Sequence, residues 1–150
     1  MTQEEKELLI KDLCARLLYG VKCNVWYGPK SPALYEKDKY TDDILETISP
    51  QKGNCTFQNA IGYDFGNFPV EHVKPYLHPM SSMTDNERED WYRQSKVDYD
   101  CEFKPEPTLS LEHCHLSIDW LNKYGFDYRG LIPMGLALEA PEGMYNNKTK

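Results

Sequence analysis

Apolar and polar positions divide this chain into segments of different period. Leu9, Ile10, Leu13, Cys14 and Leu17 recur at helical spacing and fall within about 140° of arc, one broad face of a helix. Thr2 stands before that run with Glu5 three residues later, the reciprocal pair that satisfies a helix's first orphan N–H groups. Gly20 follows the last apolar turn, where a left-handed stop is easiest. The spacing therefore predicts a helix over 3–18. Val21, Cys23, Val25 and Tyr27 then alternate with Lys22, Asn24 and Trp26, the period of a half-buried strand. Apolar runs at 44–48 and 55–61 flank Pro50-Gln-Lys-Gly-Asn54 and read as a hairpin. A short strand is expected over 69–73, and an irregular stretch where Pro75 and Pro79 bracket Tyr76-Leu-His78.

The second half returns to helical spacing. Thr84 and Glu87 repeat the capping pair and open a short charged helix to about Lys96, docked through Trp91. Leu111, Cys114, Ile118 and Leu121 share one stripe of a third helix, and Leu116, Trp120 and Tyr124 a second, nearly opposite stripe. A helix apolar on two sides belongs between other elements. Gly125 ends it, and the apolar segment to Pro141 is where a chain with little apolar content elsewhere builds much of its core. The expected fold is α+β in a single domain over 1–150: an N-terminal helix, a small antiparallel sheet of three to five strands, two further helices and the C-terminal apolar segment. Residues 28–68 form a loop-rich sheet region, and 142–150 a polar tail.

Composition changes the picture little. Leu, Ile, Val and Phe make up 31 of 150 residues, close to the level at which chains stay disordered. Eleven Tyr and three Trp restore buried area, since aromatic rings carry the largest apolar surfaces. Charge changes it more. With 17 basic and 24 acidic residues the net is −7, and no window forms the basic patch that phosphate neutralisation requires. Nucleic acid is a disfavoured partner. The acidic runs at 35–43, 85–90 and 98–102 read as solvated surface, and interspersed Lys and Arg break the sustained negative face that DNA mimicry needs. The sequence shows neither a leader peptide nor an apolar span of bilayer length. Its five Cys are odd in number, widely spaced and without a Cys-x-x-Cys pair, so no disulfide framework or zinc ribbon is expected. The expectation from these features is a cytoplasmic chain with reduced thiols, no cofactor and no resident metal.

Candidate chemistry is thin. His113-Cys114-His115 resembles a ligand cluster as text, but on a helix the two histidines point about 160° apart, whereas helical zinc ligands are spaced i, i+4. Cys114 falls on an apolar stripe, where a free Cys packs as a small hydrophobe. Cys101 has acidic neighbours that disfavour its thiolate. His72 and His78 flank Val73-Lys-Pro-Tyr-Leu77 and could face a shared pocket. A small metal- or thiol-dependent hydrolase using His72 and His78, or His113 and His115, is thus the competing class. No phosphate loop, dinucleotide fingerprint or Gly-x-Ser-x-Gly elbow is present. Arg129 can pair with Asp127 or Glu139 and pin the C-terminal segment, or serve as a partner anchor. Trp26 points away from Val25, and Tyr35 and Tyr40 sit in an acidic loop. An aromatic patch with an acidic rim suits a basic partner; the alternative is a second core layer over that side of the sheet.

Three blocks carry a resemblance: Glu7 to Arg16 with Tyr19 to Cys23; Val73-Lys-Pro-Tyr-Leu-His-Pro-Met-Ser-Ser-Met-Thr84; and Trp120 to Pro141. They resemble a group of short bacterial proteins, also found in phage and other mobile elements, to which no activity is attached. The resemblance implies no catalytic residue. It implies a shared framework carrying variable loops, the arrangement in which loops do the recognising. The expected function is a non-catalytic binding module for another protein, with Trp26, Tyr35 and Tyr40 facing the partner and Arg129 as an anchor. The sequence does not specify an oligomeric state.

Overall fold

Two capping boxes set where the first and second helices begin. In a computed structural model, which describes residues 1–26, 40–59, 67–95 and 111–145 without the side chains of 111–113, the Thr2 hydroxyl accepts from the Glu5 N–H at 3.2 Å. The Glu5 carboxylate returns the contact by accepting from the Thr2 N–H at 2.7 Å. Helix α1 (Gln3–Arg16) follows, closed by a 3-10 turn (Leu17–Tyr19) and by Gly20 at φ +65°. Thr84 and Glu87 form the same reciprocal pair ahead of α2 (Asp85–Gln94). The third helix, α3, spans Leu111–Lys123 and stops at Gly125, φ +73°.

The strands are β1 (Lys22–Trp26), β2 (Tyr40–Ser49), β3 (Asn54–Phe57), β4 (Phe68–Pro69), β5 (Val73–Pro79), β6 (Phe126–Asp127) and β7 (Leu138–Glu139). They form one sheet in the order β4-β3-β2-β1-β5-β6, with β7 also on β5. The α+β class holds, but among the described residues the sheet has seven strands where three to five were expected. It is also mixed: β6 and β7 run parallel to β5, while the other pairs are antiparallel. Two-residue strands such as β6 and β7 are too short to leave any period in the sequence, so their place is set by what they pack against. The hairpin expected around 50–54 is β2–β3, with a bulge between Leu45 and Thr47.

The larger correction is β5, which lies inside the sheet where the two prolines suggested irregular chain. The Leu45 N–H donates to the Val21 carbonyl, so odd-numbered residues of β1 direct their backbone toward β2. Cys23, opposite Pro75, therefore makes no backbone bond to β5, and Pro75 forfeits no bond to β1 by lacking an N–H. Its nitrogen faces the other side of β5, where the described pairing with β7 begins one residue later, at Tyr76. The expected strand over 69–73 is instead the end of β4 followed by a 3-10 turn, Val70–His72.

Two apolar clusters form. The larger one lies between α1 and the inner face of the sheet. It joins Leu9 and Leu13 to Cys23, Val25, Leu45, Cys55, Phe57, Phe68, Val73 and Leu77, and the C-terminal segment adds Leu131, Leu136 and Ala137. Each large side chain moved fully out of water there contributes about 1.5–3 kcal/mol. The smaller cluster holds Met83, Trp120, Leu121 and Phe126, with Trp91 packed against it. Two indoles fasten it reciprocally: Trp91 Nε1 on α2 donates to Ser117 Oγ on α3 at 2.9 Å, and Trp120 Nε1 on α3 donates to Asp90 on α2 at 2.9 Å. The expectation for α3 changes in detail. Trp120 and Leu121 are buried, but Ile118 is 42% exposed, so the helix is covered toward its C-terminal end.

Candidate functional site

The face of the sheet turned away from α1 is a grid set by register. Trp26 lies opposite Tyr40, Asn24 opposite Asp42, and Lys22 opposite Ile44. On the other side of β1, Lys74 of β5 faces Asn24. Side chains two apart on a strand share a face, so Tyr40, Asp42, Trp26, Asn24, Lys74 and Tyr76 lie together. Asp42 Oδ1 accepts from Asn24 Nδ2 at 2.8 Å and from the Tyr76 hydroxyl at 2.9 Å. To reach Asp42 from β5, the Tyr76 side chain must lie across β1. Burial and the Asp42 carboxylate both push the Tyr76 phenol upward, so it stays protonated and donating. His72 holds the Trp26 ring edge-on, centroids 4.5 Å apart. Tyr40 is 58% exposed.

This surface contains two of the four residues expected to face a partner, Trp26 and Tyr40. Tyr35 lies outside the described residues. Arg129 is on the other side of the sheet, where α1 packs. Sequence reasoning missed Asn24, Asp42 and Tyr76. The alternation in β1 places Asn24 beside Trp26, but only the register of β2 and β5 brings the other two to it.

Arg129 belongs to a buried charged group under α1. Asp12 and Arg16 are both fully buried, with Arg16 Nε donating to Asp12 Oδ2 at 2.7 Å. Arg16 Nη2 donates to the Phe126 carbonyl at 2.8 Å, and Nη1 lies 3.5 Å from the Leu121 carbonyl. Arg129 Nε stands 3.3 Å from Asp12 Oδ1. That distance gives attraction, but the two are misaligned, and neither atom has a hydrogen-bond partner among the described residues. Both guanidiniums stand over the Tyr128 ring, that of Arg16 5.4 Å and that of Arg129 4.9 Å from its centroid. Arg129 thus pins the C-terminal segment through Asp12, where Asp127 or Glu139 was expected. Asp127 is occupied otherwise, accepting the Leu131 and Ile132 N–H groups at 2.8 Å each. The arrangement is a clamp joining α1, the end of α3, β6 and the following loop.

A second clasp closes the sheet. The ladder between β1 and β5 ends at Cys23 and Pro75. Beyond it, the Tyr145 hydroxyl enters the gap, accepting from the Lys22 N–H at 3.1 Å and donating to the Tyr76 carbonyl at 2.8 Å. It replaces the bond those two groups would otherwise share. The ring rests on Gly125, where a Cβ would come within 2.9 Å of it, and meets His78 edge-on at 5.7 Å. Burial pushes the Tyr145 phenol far up.

The candidate catalytic residues do not converge. His72 stands at the start of β5 against Trp26, while His78 lies near its end between Phe126 and Tyr145. Six residues of nearly extended chain separate them, about 20 Å. His115 is exposed and 3.1 Å from Asp119, and the side chain of His113 is outside the described residues. Among the described residues, no group of three or more His, Cys, Asp or Glu could hold a metal ion. Burial pushes the Cys55 thiol up to about 12 and the Cys23 thiol well above its ordinary value, so neither supplies a thiolate near neutral pH. Cys101 lies outside the described residues. No described helix is long and apolar enough to cross a membrane. No family model, curated protein or solved structure matches the chain.

Proposed function

We propose that the chain is a non-catalytic binding module that works in the cytoplasm and recognises another protein through the outer face of its sheet. One observation carries the reading: Trp26 and Tyr40 stand directly opposite each other on adjacent strands, on the face away from the core, with Tyr40 largely in solvent. Interface anchors are drawn mainly from Trp, Tyr and Arg. Trp26 is braced by His72, and contact area held in this way costs less to order on binding. Resemblance of the framework blocks to short mobile-element proteins, with the variable stretch 28–68 between them, suits a recognition role.

The test is capture of partners from host lysate by the tagged protein and by the Trp26→Ala/Tyr40→Ala double variant. Circular dichroism establishes that both are folded. The reading expects a specific protein retained by the parent chain and lost by the variant. Equal retention by both overturns it.

A further inference from the structure

We infer that the corner formed by Trp26, Tyr40 and Asp42 receives a lysine or arginine side chain of a basic protein partner. This inference rests on the binding-module reading and deepens it. Tyr40 and Asp42 are two apart on β2 and so share a face; Trp26 stands across from Tyr40, and Asn24 across from Asp42. An aromatic pair next to a carboxylate is the pattern a cation uses twice, over the ring faces and against the oxygens.

The carboxylate is held ready. Both hydrogen bonds that Asp42 accepts from described residues fall on Oδ1, from Asn24 and from Tyr76; they hold the carboxylate in place, and Oδ2 accepts no hydrogen bond among the described residues. Trp26 is fixed in the same way by the edge of His72. A cation arriving there orders little that is not already ordered, the condition under which an exposed contact retains its energy.

Charge points the same way. The chain carries −7 overall, which draws basic partners from a distance. Two lysines share the face and work against it. Lys74 faces Asn24 from β5, its backbone two strands or about 10 Å from that of Asp42, and among the described residues it forms no ion pair with Asp42. Lys22 lies opposite Ile44, farther along β1 from the aromatic pair. Among the described residues the carboxylate beside the rings is the nearest charge to an incoming group, which favours a cation there over a phosphate.

The experiment titrates the full chain with an eight-residue arginine peptide by calorimetry at two salt concentrations. An eight-residue glutamate peptide and a single-stranded oligonucleotide serve as opposites. The arginine peptide should bind, and more weakly at the higher salt. Tyr40→Ala and Asp42→Asn should each weaken binding about three- to fivefold, the size of one exposed cation–ring contact or ion pair. Glu142→Gln, which removes the same charge from an exposed position elsewhere, should leave it unchanged. Failure of the arginine peptide to bind, equal weakening by Glu142→Gln, or preference for the glutamate peptide or the oligonucleotide overturns the inference. Partner capture separates the two levels. If Trp26→Ala/Tyr40→Ala abolishes capture while Asp42→Asn does not, the face binds but not through a cation; if neither variant affects it, both readings fail.

Discussion

Removing the carboxylate of Asp12 should be among the most damaging single changes this protein can suffer. In Asp12→Ala the Arg16 guanidinium stays where it is, fully buried, with its carbonyl contacts but without its counter-charge. Arg129 Nε loses the only charge facing it among the described residues. Breaking a buried pair by deleting one partner costs about 3–5 kcal/mol, because the survivor is left uncompensated. Against a usual folding stability of about 5–15 kcal/mol, that is a large fraction. With a urea slope of about 2 kcal/mol per molar, the midpoint should fall by about 2 M. Arg16→Met should cost a similar amount. The Asp12→Ala/Arg16→Met double variant removes both charges together; it leaves the carbonyls of Phe126 and Leu121 without a donor, about 1–3 kcal/mol, and Arg129 without Asp12, as the Asp12→Ala single already does. It should therefore be more stable than the sum of the singles by at least about 2 kcal/mol. Urea unfolding of all four proteins, followed by tryptophan fluorescence, measures the cycle. A loss below about 1 kcal/mol for Asp12→Ala, or strictly additive singles, would refute the claim that this clamp is an interdependent buried unit.

Tyr145→Phe keeps the ring on Gly125 but leaves the Lys22 N–H and the Tyr76 carbonyl without their bridge. It should cost about 1–3 kcal/mol and speed hydrogen exchange at the Lys22 amide, and an unchanged exchange rate would count against the bridge. Gly125→Ala combines a φ of +73° with a Cβ pressed into the Tyr145 ring; thermal unfolding should show a loss of at least about 1–2 kcal/mol. His78 is held below its ordinary pKa, first by burial, with Glu87 and Glu139 opposing. Its neutral form is thus favoured on folding, and the unfolded chain binds the extra proton first. Its contribution is complete above about pH 6.5 and is lost as pH falls through the depressed folded value. His78→Gln should flatten the stability profile between about pH 5 and 7, and an unaltered profile would assign that slope to other groups.

Both capping boxes were legible because a cap is a local exchange between residues three apart. The first strand and the hairpin were legible because alternation survives any tertiary context. The buried side of α1 was harder to read. Leu9, Leu13, Asp12 and Arg16 are the buried residues there, and Cys14 is exposed; the apolar pattern alone had put Cys14 inside and said nothing of the charged pair. Two charges four apart on a helix usually mean a surface pair. Nothing local reveals that the Phe126 and Leu121 carbonyls and Arg129 wait above them. The strand through Pro75 was hidden for a similar reason. A proline argues against an interior strand unless the direction of its missing N–H is known, and that is a property of register.

Of the candidate surface, the sequence by itself determined that Trp26 and Asn24 lie on the side of β1 away from Cys23 and Val25, because the period of a strand is fixed by its backbone. It also determined the helix starts and the acidic balance. The tertiary structure alone decided that Tyr40 stands across from Trp26, that Asp42 is pinned by Asn24 and Tyr76, and that Arg129 faces Asp12. Each of those contacts joins segments from 14 to 117 residues apart in the chain. Their pairing is chosen by the packing of the whole core, and no pattern within a single segment encodes it.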